Sequence, residues 1–260
     1  MEYTKIFCSL GALVKEVRTP AFCDTLQQLL ISLFEPQSVI ILLFENRRRP
    51  RVISQWIPDT HLQKVFEGSY FDYGYFLDPY YELAMSGFED GAYRLRDIAP
   101  DRFFRSEYYR RYFRQTRMVD ELGCLARMDE DRIAHLSVGR NKGAAKFRRK
   151  DEALLRMLSP ALMPLIIEHC NHHAGGSHSS QSRRPRRPLK EQLLYTKLEG
   201  GKRVTKRESE VASLVVQGHS TAAIGLILDV SPQTVKVHRR NIYRKLNISS
   251  QAELFAQFAK

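Results

Sequence analysis

The sequence predicts an α/β sandwich followed by a small all-α domain of four helices. Three observations carry that expectation. The first 173 residues interleave helix-periodic segments with short β-branched or alternating runs. Residues 174–188 then read AGGSHSSQSRRPRRP, a composition that disfavours regular structure and stays solvated. The remainder holds four short helical patterns with start or stop signals between them. The predicted divisions are therefore 1–173 for the first domain, 174–189 for a flexible basic linker and 190–260 for the helical domain.

In chain order, Phe22, Leu26, Leu29, Leu30 and Leu33 fall on one face of a helix over 22–34 that Pro36 ends. SVIILLF (38–44) reads as a buried strand, and 51–56 pairs with it across the charged turn at 45–50. Residues 78–86 read as helix and 92–98 as strand. SEYYRRYFRQTR (106–117) reads as one basic, aromatic helix. Residues 122–128 and 132–138 read as paired strands around the turn MDED. The apolar helical region 150–169 is expected to break at Pro160 and Pro164.

Charge separates the two halves. The chain carries +12 overall, and residues 174–260 hold 16 Lys/Arg against 6 Asp/Glu, whereas the first 173 residues are nearly balanced. A basic C-terminal third is either a solvated basic tail or the mark of an anionic partner, and nucleic acid and an acidic membrane surface both qualify on charge. Cys8, Cys23, Cys124 and Cys170 form no CxxC pair and read as buried apolar residues or free thiols in a reducing compartment. His169, His172 and His173 beside Cys170 lack a second ligand cluster, so no metal is expected there. The start does not resemble a signal peptide and no stretch is read as long enough to span a membrane, which places the chain in the cytoplasm with no membrane partner. With no nucleophile–base pair, metal set or phosphate loop at informative spacing, neither catalytic residues nor a cofactor are expected. The lone His61 and His135 do not alter that.

The helical third is unusually well punctuated. Thr205-Lys-Arg-Glu208 forms a capping box and Gly218 a left-handed stop. Ser220 caps a second helix with Ile224, Ile227 and Leu228 on its apolar face. Ser231-Pro232 opens a third, and Ser250-Gln-Ala-Glu253 a fourth. In the third helix Val235, His238, Ile242 and Leu246 face inward, while Gln233, Lys236, Val237, Arg240 and Arg244 face out. A cationic outer face on a helix after a tight turn suits a DNA major groove: Arg and Lys donate to guanine O6 and N7, and Val meets a thymine methyl. Ser231, Thr234, Arg239, Lys245 and, on the second helix, Thr221 can donate to phosphates.

The stretch from about 203 to 258 resembles the helix-turn-helix of the bacterial LuxR/GerE regulators. It carries that family's R-E-x-E-V opening (Arg207, Glu208, Glu210, Val211), its T-V-K-x-H core (Thr234, Val235, Lys236, His238) and its K-L close (Lys245, Leu246). The resemblance implies that Lys236, Val237 and Arg240 face bases in double-stranded promoter DNA. It also implies that homodimers bind inverted half-sites, with RNA polymerase a further candidate partner. The last helix would pair the copies through Ala252, Phe255, Ala256 and Ala259.

The first domain is similar in order to GAF and PAS sensor domains, and SVGRNKGAAKFRRKDEALLRMLSPALMPLI resembles the close of a GAF domain. No acidic pair near residues 1–13 supports a phosphorylated receiver. In SYFDYGYFLDPYYELA (69–84), aromatic rings surround Asp72 and Asp78. Such a set either fills a core or lines a site for a cationic or amide-bearing small molecule. It also resembles the autoinducer-binding domain of acyl-homoserine-lactone receptors through Asp78-Pro79, although Tyr93 stands where those receptors carry Trp. Tyr70, Tyr73, Tyr75, Asp78, Tyr81 and Tyr93 are the candidate ligand-lining residues, for an effector other than the lactone. The alternative is a ligand-independent regulator whose first domain only dimerises or binds a protein.

Overall fold

The computed structural model describes residues 3–45, 48–72, 74–174, 189–195 and 203–258. Most of the predicted linker, 175–188, lies outside them. The chain gathers into two compact units. One comprises Met1–Lys64, Tyr80–Ile98 and Arg117–Arg184; the other comprises Val65–Pro79, Ala99–Thr116 and Pro185–Lys260.

The first unit is an α/β sandwich. It begins with helices α1 (Tyr3–Glu16) and α2 (Ala21–Phe34). In α2 Phe22, Leu26, Leu29, Leu30 and Phe34 are buried at helical spacing, with Leu33 only partly covered. Glu35 then turns left-handed (φ 44°), its N–H donating to the Ile31 carbonyl, and Pro36 prevents continuation. Strands β1 (Ser38–Glu45) and β2 (Arg51–Trp56) follow. Next come the short helix α3 (Thr60–Val65), helix α4 (Pro79–Ser86), strand β3 (Gly91–Arg94) and the single turn α5 (Leu95–Ile98). After α6 (Glu107–Arg111) the chain returns through β4 (Met118–Arg127), β5 (Arg132–Asn141) and the long helix α7 (Arg149–Ala174).

The five strands form one antiparallel sheet in the order β2-β1-β5-β4-β3. One face, with Val39, Ile41, Leu122, Cys124, Leu136 and Val138, packs under Leu13 of α1, Leu26 and Leu30 of α2, and Leu155, Leu162 and Ile166 of α7. On the other face His135 stacks between Phe44 and Tyr80, at 5.1 and 4.6 Å between ring centroids. Ser137 donates to Glu121 there at 2.5 Å. Both faces of β1 are therefore dry, which is why it reads as a continuous apolar run instead of an alternating one. Gly123 permits the stack: a Cβ there would meet Tyr80 Cε1 at 2.6 Å and His135 Nε2 at 3.0 Å. Between β3 and β4, Arg94 and Asp120 form a buried bidentate ion pair that also holds the Phe147 backbone at both its N–H and its carbonyl.

Several local expectations are corrected. Residues 106–117 are not one helix: Ser106 caps a five-residue α6 by accepting from Tyr109 N at 3.0 Å, Phe113–Thr116 is a separate 3-10 turn, and Arg117 is left-handed. The strand expected over 92–98 stops at Arg94 and gives way to α5. Helix α7 runs unbroken through both prolines. Pro160 lacks the N–H that would bond the Arg156 carbonyl, and Ser159 Oγ donates to that carbonyl instead, at 3.1 Å. This helix is long and apolar enough to cross a membrane by length and composition, contrary to the sequence reading. Its apolar face is nevertheless core, with Leu155, Leu158, Leu162, Met163, Ile166 and Cys170 buried.

Candidate nucleic-acid interface

The second unit contains α8 (Leu189–Tyr195), α9 (Lys206–Gln217), α10 (Thr221–Leu228), α11 (Pro232–Leu246) and α12 (Gln251–Phe258). Each corner is built from the residues that the sequence signals. The Thr205/Glu208 capping box is complete: Thr205 Oγ1 accepts from Glu208 N at 3.2 Å and Glu208 Oε2 from Thr205 N at 2.8 Å. Gly218 stops α9 at φ 107°. Ser220 and Ser231 cap α10 and α11 by accepting from Ala223 N and Thr234 N. Asp229 and Asn247 close those two helices in left-handed conformations. Gly225 lets the α10–α11 turn close, since a Cβ there would lie 2.8 Å from the Val230 carbonyl oxygen.

This frame fixes α11 by burying Val235 and Ile242, each 1% exposed. On its opposite side Gln233, Lys236, Arg240 and Arg244 are exposed, and Val237 is half-buried among them. Ser231 is exposed and Thr234 and Thr221 are half-buried at the two helix N-termini. Arg239 is turned along the helix, its Nε donating to Tyr243 Oη at 3.1 Å. Lys245 is held by Glu208 at 2.7 Å and by the Arg203 carbonyl at 3.0 Å, tying the end of α11 to the start of α9. Burial works to raise the Glu208 carboxyl, but Lys245 and the Thr205 groups outweigh it and hold it below its usual range. Ile227, expected on the inner face of α10, is 52% exposed beside Leu226 at 86%; Ile224 is the buried side chain. Phe255, expected to pair two copies, is fully buried within the chain, and Ala259 lies outside the described residues.

Of the residues expected to line a ligand site, Tyr70 and Asp78 come together: Tyr70 Oη donates to Asp78 Oδ2 at 2.7 Å, and both are buried. Tyr112 and Phe71 pack against the Tyr70 ring, and Tyr75 lies 6.5 Å from it. Burial, reinforced by the Asp78 charge, pushes the Tyr70 phenol well up, so it stays a donor. Tyr81 and Tyr93 belong to the other unit. Tyr81 meets Phe44 edge-on at 5.2 Å, and burial raises its phenol to about 12. Tyr93 donates to the Glu89 carbonyl. Tyr73 lies outside the described residues.

The cationic helix and its caps lie inside a match to a known family: residues 202–258 fit the model of GerE, bacterial regulatory proteins of the luxR family. The C-terminal unit carries a LuxR-family DNA-binding domain. With that domain the chain is a DNA-binding transcription regulator whose luxR-family match is confined to residues 202–258. It is 29% identical over 188 residues to a putative HTH-type transcriptional regulator of Aeromonas salmonicida, covering 70% of this chain and 92% of that one. It is 43% identical over 63 residues to the transcriptional regulatory protein UhpA of Salmonella typhimurium, where the match spans 24% of this chain and only 32% of UhpA. The fold is similar to the VqsR LBD domain from Pseudomonas aeruginosa, at TM-score 0.53 and 25% identity over 65% of this chain and 98% of that one.

Two features of the LuxR-family domain escaped the sequence reading. One is the engagement of Lys245 by Glu208, 37 residues away. The other lies at the α9–α10 corner, where Arg102 N donates to the Gly218 carbonyl at 3.0 Å and Ser220 N donates to Asp101 Oδ1 at 2.8 Å. No periodic signal marks either, because both join positions distant in sequence.

Proposed function

We propose that this LuxR-type regulator reads an inverted-repeat promoter site as a cytoplasmic homodimer, with the region 190–260 as reader and 1–173 as sensor, and that a small molecule governs it. The exposed cationic face of α11 carries the reading: Gln233, Lys236, Val237, Arg240 and Arg244 meet bases, and Thr221, Ser231, Thr234 and, after rearranging, Arg239 and Lys245 meet phosphates. An effector would enter at the Tyr70–Asp78 pair beside Tyr75, offering an amide or cationic group in place of the phenol. The likeness to a domain called LBD supports a sensor. RNA polymerase is a further partner, and the reading involves no catalysis.

The test is to incubate the full chain with a pool of randomised duplexes at moderate salt and sequence what is retained. Enrichment of one inverted repeat supports the dimeric reader; retention without preference sinks it. A second reading, regulation without a ligand, draws support from the same pair. Tyr70 and Asp78 already satisfy one another, so any effector must displace a buried hydrogen bond. Thermal-shift screening against metabolites separates the two, since a ligand at a hundred times its Kd adds about 2.7 kcal/mol.

A further inference from the structure

Residues 101–106 lie against the α9–α10 corner within the second unit, and they meet it backbone to backbone. Arg102 N donates to the Gly218 carbonyl, and a Cβ on Gly218 would come within 2.9 Å of Ser106 Cβ and 3.3 Å of Phe103 Cα. The same approach sets the Asp101 carboxylate on Ser220 N at 2.8 Å, at the N-terminus of the eight-residue α10. The first N–H groups of a helix are unsatisfied and carry partial positive charge, so they attract anions. In a helix-turn-helix, such a terminus grips the DNA backbone.

We propose that Asp101 occupies the place of a DNA phosphate at the start of α10, making the loop that carries it a latch that weakens DNA binding until it withdraws. The inference rests on the DNA-reading assignment above. Carboxylate and phosphate cannot share the Ser220 N–H, and each repels the other, so the DNA backbone must displace Asp101 before Thr221 can reach it. Burial alone would raise the Asp101 carboxyl. The Ser220 hydrogen bonds, with His219 and Arg102 beside it, hold it below its usual range, so the latch keeps its negative charge. The base-reading side chains Gln233, Lys236, Arg240 and Arg244 remain exposed. The latch therefore acts on backbone grip and leaves sequence preference alone. Phe103, next to it, packs on Tyr108 and through Tyr112 on Tyr70, which joins the latch to the proposed effector position by contact.

Fluorescence anisotropy of the full chain tests this on two duplexes: the site enriched by the wild-type protein and a scrambled duplex of equal length. Asp101→Asn and Asp101→Ala should tighten both by the same factor, about two- to tenfold. The ratio between duplexes should not change, and the salt dependence should steepen by about one phosphate contact. Equal or weaker binding by both variants, with unfolding midpoints matching wild type, overturns the latch. Asp101→Asn separates charge from shape, because its amide oxygen can still accept from Ser220. Lys236→Ala on the same duplexes distinguishes the two levels. If it leaves discrimination unchanged, the DNA-reading assignment fails; if it abolishes discrimination while the Asp101 variants change nothing, only the latch fails.

Discussion

At the scale of single residues, the reading face divides into groups that are available and groups that are already spent. Lys236 and Arg240 project from a helix whose opposite side is pinned by Val235 and Ile242, so the proposed entry into a groove needs no reorganisation of the fold. Lys236→Ala and Arg240→Ala should each remove about 1–3 kcal/mol of discrimination between the selected and a scrambled duplex. Titration of both duplexes checks this. A variant that weakens both equally would mark its side chain as a phosphate contact. Asp78 belongs to a different chemistry. Asp78→Ala should leave affinity for DNA intact while abolishing any effector-dependent thermal shift. It should also cost about 1–3 kcal/mol of stability, because the Tyr70 hydroxyl is left buried without Asp78. A full effector response in that variant would remove the pair from the site.

At the scale of elements, the best-punctuated segments were the legible ones. Helices α9 to α11 end where Gly218, Asp229 and Asn247 turn left-handed, and caps at Thr205, Ser220 and Ser231 start them, so local chemistry sets their bounds. Strands β1, β2, β4 and β5 were legible through β-branched runs and turns. Helix α1 was not, because its apolar residues point two ways: Ile6 and Leu13 are buried while Phe7 and Val14 are exposed, blurring any stripe. The continuity of α7 was missed for a different reason. At Pro160 one helix donor is lost, and Ser159 supplies a replacement from the preceding position. Ser159→Ala should therefore cost about 1 kcal/mol and increase hydrogen exchange around Pro160. Chemical denaturation and amide exchange measure the two effects, and a neutral outcome in both would assign the continuity to packing alone.

At the scale of the whole molecule, local patterns could not show which distant segments share a unit. Residues 65–79 and 99–116 fall between strands of the sheet, yet they cluster with the C-terminal helices through contacts such as Ser220–Asp101. Stability also has a term fixed by the whole sheet. His135 is fully enclosed and burial pushes its imidazole down from 6.5 to about 3. The unfolded chain therefore binds a proton that the folded chain refuses between those values. Stability should fall as pH drops from about 6.5 towards 3, by a few kcal/mol over the window, and should not depend on this group above it. Urea unfolding at pH 7, 5 and 4 should show the decline in wild type and a shallower one in His135→Phe; identical declines would place the acid sensitivity elsewhere.

The central pairing of the sheet sets an order of events during synthesis. Strand β1 lies between β2 and β5, and β5 begins at Arg132, about 87 residues after β1 ends at Glu45. At about 5–20 residues per second the ribosome needs roughly 4 to 17 s to bridge that gap. Throughout it the segment SVIILLF has the earlier helix α2 and the β2 hairpin against it, but no β5 along its other edge. A nascent chain holding so apolar a strand without its partner is exposed to self-association. The yield of folded regulator in a cell is thus tied to chaperone supply and translation speed as well as to the stability of the finished sheet.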